Sequence, residues 1–104
     1  MGKHELSCSD CKAFKKYILK AVDSLVEQDY SVVRENIDSA RDMVFDWRFD
    51  GKTDFYDDVW LIHLLYGAIE ACEAYDSGTL FEVLVRINAG FKKMVARYDL
   101  KQDN

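Results

Sequence analysis

Apolar positions recur at helical spacing along almost the whole chain, in four blocks parted by short polar turns. In the first block Phe14, Tyr17, Ile18, Ala21, Val22 and Leu25 fall at i, i+3, i+4, i+7, i+8 and i+11, which share one helix face. Ser7 with Asp10 three residues on matches a capping box, so a helix is predicted over about 8–28. Asp29-Tyr30-Ser31 interrupts it, and Ser31 is placed to cap a second helix over 32–48, with Val33, Ile37, Ala40, Val44 and Trp47 along one stripe. Asp50-Gly51 supplies a turn. Thr53 or Asp54 caps a third helix over 54–76, expected to end at Asp76-Ser77-Gly78 with Gly78 in the left-handed conformation. Thr79 with Glu82 reads as a second capping box, opening a fourth helix over 80–98 whose seam is Leu80, Leu84, Ile87, Phe91, Met94 and Tyr98.

Short loops between long helices favour antiparallel neighbours, so the predicted fold is all-α: an up-down-up-down four-helix bundle. Its 104 residues make one domain, 1–104, with flexible ends at 1–7 and 99–104. There is no proline to break a helix. A weak internal echo aligns Tyr17, Ile18, Ala21, Val22, Val33, Ile37, Ala40 and Val44 with Leu64, Leu65, Ala68, Ile69, Leu80, Leu84, Ile87 and Phe91, and generic bundle periodicity suffices to explain it.

The third helix departs from the pattern. His63, Glu70, Tyr56 and Gly67 form a narrow polar stripe. One flank carries Leu61, Leu64, Leu65, Ala68 and Cys72; the other carries Phe55, Val59, Ile62, Tyr66 and Ile69, with Trp60 near the polar edge. Together the flanks span about 250° against the roughly 100–140° that a bundle helix buries. Either this helix is central in an irregular packing or one flank meets a second chain.

Composition sets the class and charge narrows it. Hydrophobic residues make up 49% and charged residues 32%, an ordinary globular balance. The longest apolar run, Val59 to Ile69, is too short to span a bilayer. The opening MGKHELSCSDC has no apolar core of a secretory signal, and Leu6 stands where a myristoylation signal needs Ser or Thr, so the expected location is cytoplasmic. The net charge of −5 disfavours direct binding to nucleic acid or anionic membranes. It is uneven: residues 1–28, 29–48, 49–78 and 79–104 carry +1, −2, −6 and +2.

Three cysteines argue against a secreted disulfide framework. Cys8 and Cys11 form a C-x-x-C motif with His4 upstream, a partial ligand set for zinc or a redox pair at a helix N-terminus. Cys72 lies roughly 27 Å along the third helix at 1.5 Å per residue and cannot complete it. Asp46, Asp50, Gly51, Asp54 and Asp57 can be laid over a calcium-binding helix-loop-helix motif, which they resemble over twelve residues. Arg48 replaces its third-position oxygen ligand and Asp57 its bidentate Glu, so the segment reads as an Asp-rich turn. Asp54, Asp57 and Asp58 at a helix start are favoured by the helix dipole. There is no nucleophile-base spacing, no Glu-x-x-His pair and no phosphate loop.

The expected function is therefore non-enzymatic: a small acidic regulatory or inhibitory module that binds a partner protein, or a second copy as a homodimer. Phe55, Val59, Trp60, Ile62 and Tyr66 supply its apolar contact. Asp46, Asp50, Asp54, Asp57 and Asp58 supply the charge, which suits a basic or nucleic-acid-binding partner. No cofactor is expected. The alternative is a metal-binding or redox-sensing protein using zinc at His4, Cys8 and Cys11.

Overall fold

The computed structural model describes residues 6–101. Four α-helices, α1 (Cys8–Val26), α2 (Tyr30–Phe49), α3 (Phe55–Glu73) and α4 (Ser77–Val95), each lie against their neighbours in the chain, and α4 closes the ring on α1. This is the predicted antiparallel four-helix bundle. No helix among the described residues is long and apolar enough to cross a membrane.

The helices are bounded by carboxylates more than the sequence suggests. The Ser7 capping box forms as predicted: its Oγ accepts from the Asp10 N–H at 3.0 Å, and Asp10 Oδ2 accepts from the Ser7 N–H at 3.2 Å. Asp54, one of the two expected caps, opens α3, whereas at α2 and α4 the cap falls earlier. Asp29 caps α2 in place of Ser31, accepting from the Val32 N–H at 3.3 Å. Asp76 caps α4 in place of Thr79, whose N–H it accepts at 3.2 Å. Both helices consequently begin two or three residues before the expected start. Gly78 sits inside the first turn of α4, and Tyr75 takes the left-handed role at φ 54°.

All three turns between helices close the same way. Gln28, Gly51 and Tyr75 adopt positive φ, and in each turn the N–H of that residue and the N–H of the next donate to carbonyls three and five residues back, respectively. Gln28 donates to Leu25 and Asp29 to Ser24, both at 2.9 Å; Tyr75 donates to Cys72 at 3.1 Å and Asp76 to Ala71 at 2.9 Å. The internal echo thus extends from the seams to the turns. Ser7 and Asp54, Gln28 and Tyr75, and Asp29 and Asp76 play matching parts at one spacing of 47 residues.

The core is one cluster. Phe14, Ile18, Ala21 and Leu25 of α1 meet Val33, Ile37, Ala40, Val44 and Trp47 of α2, Leu61, Leu65 and Ala68 of α3, and Leu80, Leu84, Ile87, Phe91 and Met94 of α4. Phe14 anchors one end, with ring centroids 5.6 Å from Trp47 and 4.4 Å from Phe91. The ends expected to be flexible are clasped within the described residues. Lys101 N–H donates to Leu6 O, and Cys8 N–H to Lys101 O, both at 2.9 Å. Leu6 is fully buried and Leu100 packs on the core, because these two apolar side chains can be covered only if the ends pair.

Candidate interaction face on helices α2 and α3

The surplus apolar surface of α3 divides three ways. Leu61, Leu64, Leu65, Ala68, Ile69, Ala71 and Cys72 are buried, so Ile69, expected on the outer flank, belongs to the core. Ile62 is half-buried against that core. Phe55 and Tyr66 stay outside at 58% and 45% exposure, and Val59 is 40% exposed. The 92% exposed Phe49 of α2, one of the aromatic residues at the acidic end of the sequence, adds to them, as does Phe45, which its place in the sequence did not single out. Trp60 lies elsewhere, with its ring tip on the backbone of Gly90 in α4.

An arginine ladder crosses the seam between α2 and α3. Arg34, Arg41 and Arg48 are seven residues apart and so share one stripe of α2. Arg34 pairs with Glu73 at 2.7 Å and with Asp38 at 3.1 Å. The Arg41 guanidinium lies 5.8 Å from the centroid of the Tyr66 ring and pairs with Asp38 and Asp42. Arg48 lies 5.0 Å from the centroid of Phe55 and reaches Asp58 at 3.2 Å. Two of the proposed contact aromatics are therefore held in place by cations from α2. The seven-residue spacing was visible in the sequence, but its meaning depended on which side of α2 faces α3.

The five aspartates separate by role. Asp46 and Asp50 are exposed beside a groove of about 480 Å³ that Asp10, Asp42 and Lys52 also line. Lys52 reaches Asp10 at 3.5 Å, which brings the turn between α2 and α3 beside the start of α1, as the topology requires. Asp54 caps α3, accepting from the Tyr56 N–H at 2.9 Å. Asp57 is held by the Tyr98 hydroxyl at 2.8 Å and Arg97 at 2.8 Å. The same hydroxyl accepts from the Asp54 N–H at 2.7 Å. Burial, and the carboxylate of Asp57, push the Tyr98 phenol well above its usual range. Asp58, expected at the surface, is turned inward with 1% exposure, accepting from Thr53 Oγ1 at 3.0 Å. A buried carboxylate needs partners, and Thr53 and Arg48 supply them.

Of the proposed metal or redox ligands, His4 lies outside the described residues. Cys8 is half-buried and Cys11 buried. Burial raises the Cys11 thiol to about 11, with Asp10 and Cys8 adding to the effect, which keeps it protonated at neutral pH and a poor nucleophile. Among the described residues no group of three His, Cys, Asp or Glu side chains is placed to hold a metal ion. Cys72 donates to Tyr30 O at 3.4 Å at the other end of α3.

The chain is thus an all-α bundle with one aromatic outer face. Compared with known proteins, it matches no family model, no curated protein and no solved structure.

Proposed function

We propose that the protein is a non-enzymatic interaction module whose contact surface is the outer face of α2 and α3 with the acidic turn between them. The observation that carries this reading is the run of exposed aromatic side chains Phe45, Phe49, Phe55 and Tyr66 around Val59 and Ile62. Aromatic anchors dominate the energetics of protein contacts, and two of these are already ordered by arginines, which lowers the entropy lost on binding. Asp42, Asp46 and Asp50 line the neighbouring groove between α1 and α2, on the other side of α2, so a partner that extends across α2 needs a basic rim to meet them, and a nucleic-acid-binding protein has that chemistry.

The test places a photo-crosslinking side chain at Phe49 and compares the wild-type surface with Phe55→Asp and Tyr66→Asp. All three positions are exposed, so helical content and melting temperature should hold. The reading expects a discrete adduct that weakens with salt and disappears in both variants. Adducts that persist in both variants would overturn it. Light scattering on the same samples separates a foreign partner from a second copy of this chain, which would appear as a dimer lost in the variants.

A further inference from the structure

A second surface, on the opposite seam of the bundle, has different chemistry. Between α1 and α4 lies a pocket of about 240 Å³ lined by Cys8, Cys11, Lys12, Lys15, Phe91, Lys92, Val95 and Leu100. Its wall is apolar: Phe91 and Cys11 are core residues, while Val95 and Leu100 pack onto that core from the clasped end of the chain. Its rim is cationic. Lys12, Lys15 and Lys92 are exposed, and none makes an ion pair with another described residue. This contrasts with Arg34, Arg41, Arg48, Lys52 and Arg97, each of which has a carboxylate within reach. Three ammonium groups with no ion pair among the described residues stand around an apolar hollow, in a protein of net charge −5, and form a local site that favours an anion with an apolar tail.

We propose that this pocket binds a monomeric amphipathic carboxylate, its chain against Phe91, Val95 and Leu100 and its head among Lys12, Lys15 and Lys92. The size limits the ligand. At about 30 Å³ per water-sized group the hollow holds roughly eight such groups, which suits a single medium-length alkyl chain. Each methylene buried there adds to affinity, while the lysines select the anion over the neutral alcohol. The site is independent of the α2–α3 face, so neither reading depends on the other.

Cys8 reports occupancy, because it is half-buried in the pocket wall while Cys11 and Cys72 are buried. The experiment titrates the full chain with decanoate below its micellar concentration and follows alkylation of Cys8 by mass spectrometry. Saturable one-to-one binding is expected, with Cys8 alkylation slowed about fivefold or more at saturation. The variant Lys12→Gln, Lys15→Gln, Lys92→Gln should weaken binding about tenfold or more, taking up to a few-fold for each partly exposed charge. The matched variant Lys16→Gln, Lys20→Gln, Lys93→Gln removes the same charge from positions that do not line the pocket and should leave affinity unchanged. Decanol should bind about tenfold more weakly than decanoate. Equal weakening by the two triple variants, unprotected Cys8, or equal affinity for decanol would overturn the proposal. Binding to phosphatidylglycerol vesicles without binding to monomeric decanoate would also overturn it, by assigning the lysines to a membrane surface.

Discussion

Replacing Gly90 by alanine should destabilise this protein, although alanine is the better helix former. Gly90 lies inside α4, where glycine costs about 1 kcal/mol relative to alanine. A β-carbon there would overlap Cη2 of Trp60 and approach its Cζ3 and Cζ2 within 2.7 and 2.8 Å. The indole is rigid, so the whole ring must leave the groove between α3 and α4. Trp60 is 37% exposed, so most of its surface is covered. Withdrawing about 100 Å² of apolar contact at about 25 cal/mol per Å² loses about 2.5 kcal/mol. The net effect of Gly90→Ala is a loss of about 1–1.5 kcal/mol. In a Trp60→Ala background the clash is gone, and the same substitution should stabilise by about 1 kcal/mol. The reversal of sign is the diagnostic, and urea unfolding followed by circular dichroism reads all four corners of the cycle without relying on tryptophan emission. Stabilisation of the wild type by Gly90→Ala would refute the reasoning, since it would mean that the indole is free to move away at little cost.

Three further outcomes follow from the polar contacts. Arg48→Ala should cost about 3 kcal/mol and Asp58→Asn about 1 kcal/mol, measured by urea unfolding, because the first strands a buried carboxylate and the second leaves a neutral group that Thr53 still binds. Tyr98→Phe should cost about 1–2 kcal/mol, since it removes both the donor to Asp57 and the acceptor for the Asp54 N–H at the start of α3. Stability should fall between about pH 9 and pH 11: the Cys11 thiol is raised from 9.0 to about 11, so its protonated form is favoured by the fold below pH 9, and that contribution is lost as pH rises through 11. Cys11→Ala should flatten this part of the stability profile by about 2–3 kcal/mol, and an unchanged slope would assign the alkaline loss to other groups such as Tyr98.

The elements were legible because the seams are regular. Phe14, Ile18, Ala21, Leu25, Val33, Ile37, Ala40, Val44 and Trp47, read from periodicity, are all buried, as are Leu80, Leu84, Ile87, Phe91 and Met94. The boundaries were less legible, for a specific reason. The αL residues at two of the turns are Gln28 and Tyr75, neither of which advertises positive φ, so Gly78 drew the prediction although it lies in a helical turn. Asp29 and Asp76 looked like breakers between helices, whereas their side chains cap the next helix. On the candidate face, the sequence placed Phe55, Val59 and Tyr66 on one flank of α3 but not the arginines of α2 that lie over two of them. Nor did it separate Asp58 from its neighbours. In a helix start all three acids look alike, and only the position of Thr53 and Arg48 turns one inward.

The matched spacing of the two hairpins sharpens where function should be sought. Their inward positions are interchangeable in kind: Phe14, Ile18 and Ala21 of α1 correspond to Leu61, Leu65 and Ala68 of α3, and all are buried. Their outward positions are not. Where α1 presents Lys12, Lys16, Leu19 and Lys20, α3 presents Val59, His63, Tyr66 and Gly67 at the corresponding places. Packing demands the first similarity, since both helices serve the same core. It demands nothing of the second, because a solvated helix face is stable with charges all along it. The lysines of α1 show that this architecture folds with a polar exterior at those positions, so the aromatic exterior of α3 is not a requirement of the bundle. On the proposed function its cost in exposed apolar surface is met by a contact outside the chain, and substituting the α1 residues into the corresponding α3 positions would separate fold from contact in one variant. Such a chain should keep its helical content and lose the adduct at Phe49; retention of the adduct would place the contact on α2 alone.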